Sequence, residues 1–274
     1  MVCESHTPLF QKEAEEFRRL YPQAVVSVMA ASTREAFVNL LNDSVSIIVS
    51  DRALNGEERT VAQQAGVNIR EHKIAEDALA VVVNKQNPIE QITMETLKAI
   101  CTGDISDWGK IAESPWSGSI ELCLTGRNSG VYELLSGQFF ELQNELKPSF
   151  VATTQQEALD IVATHSRAIT FVSSLSLDHT GDDSTKSFEQ TGLRLLAVAG
   201  FDSAGAGEFV KLHQANIYRL LYPLHYSVYI YTSSDRASLA NGFSAFVASA
   251  PGQKIILNSG LVPATMPVRL VQLN

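Results

Sequence analysis

Apolar residues recur at Ala14, Phe17 and Leu20 with charges between them, a spacing that predicts a surface helix over residues 13–20, ended by Tyr21-Pro22. An apolar stretch at 24–28 reads as a strand. Ala31-Ser32-Thr33-Arg34-Glu35 then opens a helix whose apolar positions are Ala36, Phe37, Leu40 and Leu41, closed by Asn42-Asp43. A short buried strand at 45–50, a helix at 56–65, a strand at 69–74 and a strongly apolar strand at 77–84 follow. Beyond Asn87-Pro88 the pattern predicts a helix over 93–101 stopped by Thr102-Gly103, a strand at 120–124, and a helix over 129–140. A helix over 153–163 follows, capped by Thr153 or Thr154 with Glu157 in its first turn. Strands at 169–172, 193–199 and 226–231 and helices at 237–248 and 252–259 complete the chain, with 175–207 reading otherwise as irregular surface connections. Strands alternating with helices predict an α/β fold with mixed sheets. No segment repeats with a solenoid or propeller period.

Composition narrows the functional classes. A chain of 274 residues, 45% hydrophobic and 19% charged, buries a core of its own and is not disordered. Its longest apolar run, 78–83, falls far short of the roughly 20 residues that a spanning helix needs. Twenty-one basic against thirty acidic residues leave a formal charge of −9, the wrong sign for wrapping a polyphosphate backbone, so nucleic acid is not an expected partner. Any bound anion must be held by a few local groups working against the global field. Cys3, Cys101 and Cys123 form no CxxC pair, and the last two read as small core residues.

Four polar loops carry candidate chemistry. Ser32-Thr33-Arg34-Glu35 offers a capping hydroxyl, a possible capping box and the free N–H groups of a helix start. Gly126-Arg127-Asn128-Ser129-Gly130-Val131 repeats the layout of strand, turn and helix start, adding a guanidinium that matches two oxyanion oxygens and a glycine that admits close backbone approach. Ser50-Asp51-Arg52 emerges at a strand's carboxyl end, where open α/β sheets place ligands. Glu4-Ser5-His6-Thr7-Pro8 precedes the first helix, with Ser5 and Thr7 able to cap it. A structural cap, a glycine-rich turn and a surface ion pair are the plainer readings of the first three. What favours anion binding is their combination. The six histidines show neither an i,i+4 pair nor HExxH and read mostly as surface residues, so no metal and no cofactor is expected. GxSxG, GxxxxGK[ST] and GxGxxG are all absent, which removes support for enzymatic chemistry.

The run Asp77 to Asn84, then Asn87-Pro88, then Leu97 to Ile100 with Thr102-Gly103-Asp104-Ile105-Ser106-Asp107-Trp108, resembles the stretch that identifies phosphate-binding proteins of bacterial ABC uptake systems. The similarity continues through Arg127 to Tyr132, Ala168-Ile169-Thr170-Phe171, Phe246-Val247, Gly252-Gln253-Lys254 and Ser259 to Ala264. Glu4-Ser5 followed by Pro8, with the ending Pro263 to Arg269, is similar to the branch common in Bacteroidetes-type bacteria.

The resemblance implies the two-lobed periplasmic binding protein type II architecture. Residues 1–82 with 225–274 would form a discontinuous lobe one and 83–224 lobe two, with a ligand cleft between them and crossing segments at 78–84 and 223–229. It implies a ligand set of Ser5, Ser32, Thr33, Asp51 with Arg52, Arg127, Ser129 and Gly130, the ligand being inorganic phosphate or a related tetrahedral oxyanion. The family reads Ser-Gly-Thr where this chain has Ser129-Gly130-Val131, one hydroxyl donor fewer, and spaces its arginine farther from the serine. It further implies an exported protein, periplasmic or held to the cell envelope as a lipoprotein, with its signal segment absent from this chain. Such a protein works as a monomer delivering ligand to an ABC permease. Two other classes stay open: a phosphate-ester hydrolase using Ser129 or a histidine, and a signalling or scaffold module that kept the fold and altered or lost its ligand.

Overall fold

The computed structural model describes residues 1–111, 114–139, 145–177, 192–201, 207–233 and 238–265. The chain divides into two compact units. One comprises Met1–Asp77, Asn128–Gly130 and Tyr226–Asn274; the other comprises Ala78–Arg127 and Val131–His225. The first unit is thus assembled from three separate pieces of sequence, and the short piece Asn128–Gly130 packs with it rather than with the helix that Gly130 opens.

The sheet of the first unit is mixed. Ala30–Ala31, Val2–Cys3 and Ile47–Ser50 run parallel in that spatial order, with Val2 opposite both Ala30 and Val49. His225–Thr232 lies antiparallel to the last of them, Tyr229 opposite Ser50. The three parallel strands therefore release their chains at one end, which is where Glu4, Ser32 and Asp51 begin their loops. Helix Thr33–Leu41 covers this sheet by burying Ala36, Phe37 and Leu40 against Ile48 and Tyr231, with the Phe37 and Tyr231 rings 5.2 Å apart. Helix Thr7–Leu20, with Pro at its start, buries Phe10 and Phe17, and Phe17 meets Phe243 and Phe246 of Leu239–Val247 at 5.3 Å. Burying each such ring is worth about 1.5–3 kcal/mol, so this seam fixes the angle of the first helix.

The second unit is also mixed. Glu121–Thr125 runs parallel to Phe150–Ala152 on one side and to Ala168–Ser173 on the other, and Ala168–Ser173 is antiparallel to the Leu79–Val83 part of strand Arg70–Asn84. The continuous burial of 74–84 accounts for its apolar run: a strand with neighbours on both edges and both faces covered has no polar side to show. Asn84 donates to the carbonyls of Val162 and Ala163 at 2.8 and 2.9 Å, closing the end of helix Gln155–Thr164.

Several expectations need correction. Residues 24–28 form no strand; Val25 is exposed, and pairing to the sheet begins only at Ala30, where Val2 offers a partner. The first helix starts at Thr7 rather than at 13, since the Glu4–His6 turn and Pro8 nucleate it. The strands expected at 69–74 and 77–84 are one strand, Arg70–Asn84. The one expected at 193–199 is two, Leu193–Leu195 pairing with Val82–Asn84 and Ala197–Ala199 with Gln91–Thr93. Cys3, Cys101 and Cys123 are all buried free thiols. Residue 140, residue 237, much of 175–207 and the ending 266–269 lie outside the described residues.

Candidate functional site

Parallel pairing of the first three strands determines which residues gather. Because Val2 sits opposite Ala30 and Val49, the segments after Cys3, Ala31 and Ser50 leave the sheet side by side. Sheet ends of this kind are where open α/β folds bind ligands.

Ser32 caps helix Thr33–Leu41, its hydroxyl accepting from the Glu35 N–H at 3.3 Å. The complete capping box belongs instead to the next helix, Gly56–Gln64, where Asn55 and Glu58 cap reciprocally. Thr33 is fully buried and donates its hydroxyl to Asp51 Oδ1 at 2.7 Å. Asp51 itself is 1% exposed. Burial pushes its carboxyl above the usual range, while the Thr33 hydroxyl, His6, its own backbone amide and Arg52 draw it back. Its other oxygen faces Gly130: a Cβ built on that glycine would lie 1.5 Å from Asp51 Oδ2, so no other residue fits there without displacing the carboxylate. Ser129 precedes Gly130 in the same piece of the first unit.

The remaining expected residues stand as follows. Ser5 lies in the Glu4–His6 turn, half-buried. Glu4 beside it is raised from its ordinary value by burial, Asp51 and Glu35, so this corner of the protein is acidic. Arg52 makes two 2.8 Å hydrogen bonds to Glu58 and stands 4.6 Å over the Phe37 ring. Arg127 is exposed and makes two 3.0 Å bonds to Glu145. Val131, at the position of the family's threonine, is buried. Ser32, Thr33, Asp51, Ser129, Gly130 and Ser5 all belong to the first unit, while both guanidiniums are engaged by glutamates. A groove between the first helix and Ala250–Asn258, lined by Lys12, Arg19, Pro251 and Lys254 among others, contains none of these residues.

Sequence reading missed a buried polar cluster next to Asp51. His6, whose burial the sequence did not reveal, is 0% exposed. Its Nδ1 lies 3.2 Å from Cys3 Sγ and its Nε2 lies 3.2 Å from Asp77 Oδ2, which also accepts from the Tyr226 hydroxyl at 2.6 Å. Asp77 ends the first piece of the first unit and Tyr226 begins its last. One signal was present: Glu76-Asp77 interrupts an otherwise apolar run, and a charge inside a buried strand demands partners. Among the described residues, no group of three or more His, Cys, Asp or Glu could hold a metal ion, and no helix is long and apolar enough to cross a membrane.

The site is therefore an acceptor carboxylate, a helix start and hydroxyl donors at the carboxyl ends of parallel strands, a set suited to an anion that carries a proton. The phosphate-binding protein PstS of Pseudomonas aeruginosa is 24% identical over 94% of this chain and 80% of its own length. A candidate phosphate ABC transporter substrate-binding protein of Clostridium perfringens, with phosphate bound, superimposes with a TM-score of 0.77 at 21% identity, covering 96% of this chain and 98% of its own. An ABC-type phosphate transport receptor of Vibrio cholerae gives a TM-score of 0.74, also at 21% identity, over 97% and 99%. A model described as a PBP superfamily domain matches residues 4–251, nearly the whole described chain, and the protein belongs to that family.

Proposed function

We propose that this chain is an extracytoplasmic solute-binding protein that captures inorganic phosphate and passes it to an ABC permease, binding its ligand without transforming it. Support comes from the relatives, which are phosphate-binding and phosphate-transport proteins by name, and from the residues at the strand ends. The observation that carries the reading is Asp51, a buried carboxylate anchored by Thr33 and pressed against Gly130. A carboxylate facing an anion is repulsive unless the anion brings a proton. Phosphate near neutral pH keeps one or two, so Asp51 accepts from a P–OH, whereas sulfate has nothing to donate. Rejection of sulfate then follows from an acceptor left unpaired in a desolvated place. Ser32, Ser129 and the N–H groups of the two helix starts supply donors for the remaining oxygens, Ser5 joins them from the first loop, and Thr33 gives its hydroxyl proton to Asp51 and its backbone N–H to the helix start. Arg127 supplies the positive charge once it exchanges Glu145 for ligand; Arg52 steadies Asp51 from its place on Glu58.

Titration calorimetry of the purified chain with phosphate and with sulfate tests this directly. The expected result is heat of binding for phosphate, little for sulfate, and a narrowed preference in Asp51→Asn. A wild-type protein that binds neither anion, or an Asp51→Asn variant with an unchanged ratio, overturns the assignment.

A further inference from the structure

The turn that carries Ser5, Glu4–His6, is too short to fix itself. Glu4 is exposed and Ser5 half-buried, and of its three side chains only that of His6 is fully buried. An imidazole out of water with both ring nitrogens against polar atoms acts as a tether. We propose that Asp77 is a positioning residue for ligand binding, holding the His6 ring and through it the first loop, so that the Ser5 hydroxyl stands in the donor set. This rests on the phosphate reading and deepens it.

Strand register brings the parts together. Val2 pairs in parallel with Ala30 and Val49, so Cys3 passes the chain to this turn at the carboxyl end of those strands. His225–Thr232 runs antiparallel to Ile47–Ser50 with Tyr229 opposite Ser50, which brings Tyr226 to the same end. Arg70–Asn84 is the next strand in the sheet, and its Asp77 comes level with Tyr226. There Asp77 Oδ2 accepts from the Tyr226 hydroxyl at 2.6 Å and lies 3.2 Å from His6 Nε2, while Cys3 Sγ lies 3.2 Å from His6 Nδ1. The Tyr226 ring meets the imidazole edge-on at 6.3 Å. Successive strand residues face opposite ways, so the neighbouring pair, Ser227 donating to Glu76 Oε1 at 2.9 Å, lies on the other face and takes no part.

These contacts orient the ring as well as enclose it. Burial pushes the Cys3 thiol upward, so the thiol keeps its proton and gives it to Nδ1. The ring's own hydrogen then sits on Nε2 and faces the Asp77 carboxylate, which the Tyr226 hydroxyl holds in place. Cys3 lies at the base of the same loop, where the Thr7 hydroxyl also donates to the Cys3 carbonyl at 3.4 Å, so these contacts travel with the loop. Asp77 comes from another strand, and it therefore sets where the loop stands relative to the sheet. Its carboxylate is fully buried, which costs desolvation that an apolar side chain would not; what the charge adds is direction, since only an acceptor can hold the Nε2–H. Because Asp77 ends the first piece of the unit and Tyr226 begins its last, the first loop is tied to both chain segments that border the unit.

The test is titration calorimetry with inorganic phosphate at neutral pH on the wild type, Ser5→Ala, Asp77→Asn and the double variant. Asp77 lies outside the ligand set, yet Asp77→Asn should weaken phosphate binding about fivefold, the effect of losing one ligand hydrogen bond. Ser5→Ala should weaken it by a similar factor. In the Ser5→Ala background Asp77→Asn should change affinity by less than about twofold, because the hydroxyl that it positions is gone. A merely structural role would lower the unfolding midpoint and leave the two factors equal. Equal factors in both backgrounds, or an unchanged affinity in either single variant, overturn the proposal while phosphate binding stands; a wild type that binds no phosphate removes both readings. Should Asp77→Asn not fold, Tyr226→Phe takes its place in the same cycle, since it removes one hydroxyl and keeps the ring. Weaker binding with Ser5 present and no further loss without it supports the proposal, and equal effects in both backgrounds overturn it.

Discussion

The first helix contains a test of how burial and charge compete in this fold. Glu13 is 0% exposed, and neither of its carboxyl oxygens has a hydrogen-bond partner in the structure. Burial, with a smaller contribution from Glu16, pushes its carboxyl from 4.5 up to about 9. The folded protein therefore keeps Glu13 protonated at neutral pH, whereas the unfolded chain releases that proton. The sign follows by linkage: a raised folded value means the native state binds the extra proton, so its stability is complete below pH 4.5 and is lost as pH rises toward about 9. The slope is about 1.4 kcal/mol per pH unit. Glu13→Gln removes the ionisation and keeps the shape. Burying an amide has a cost of its own, but that cost does not depend on pH and cancels when the two proteins are compared at two pH values. Between pH 5 and pH 8 the stability of Glu13→Gln relative to the wild type should improve by about 4 kcal/mol, three units of that slope. Urea unfolding of both proteins at both pH values measures it. If the difference is the same at pH 5 and pH 8, Glu13 ionises freely in the folded protein and the reasoning is refuted.

Thr33→Val removes the 2.7 Å donor to Asp51 while keeping volume. It should cost about 1.5–3 kcal/mol in urea unfolding at neutral pH, the worth of a hydrogen bond to a buried charge, and raise the pH below which sulfate begins to bind. Gly130→Ala forces its new methyl onto Asp51 Oδ2 and should abolish phosphate binding by calorimetry; retained affinity would show that the carboxylate is not needed in this position. Glu145→Gln frees Arg127 from its two bonds and should tighten phosphate binding, whereas Arg127→Ala should weaken it; an unchanged affinity in both would remove Arg127 from the ligand set. Thermal shift in the presence of phosphate should rise for the wild type and vanish for Gly130→Ala, since only ligand held by the native state adds stability.

The sequence alone determined the alternation of strands and helices, because periodicity at 3.6 and continuous apolar runs are local properties that report burial directly. The apolar strand at 77–84, though not its continuity back to Arg70, the helix behind Ser32 and the helix after Thr154 were legible for that reason. It also determined which loops carry hydroxyls, guanidiniums and glycine, and the resemblance in the central motif pointed to the family. Strand pairing was beyond it: the apolar stretch 24–28 finds no neighbour, and 193–199 divides because its two halves meet different partners. The identity of the neighbours at the site was equally beyond it. That Thr33 spends its hydroxyl on Asp51, that Gly130 is a glycine because a carboxylate lies against it, and that His6 is enclosed by Cys3, Asp77 and Tyr226 are contacts across many residues of sequence. A side chain's local pattern records how much water it loses, while its partner is chosen by register between strands, and register exists only once the chain has folded.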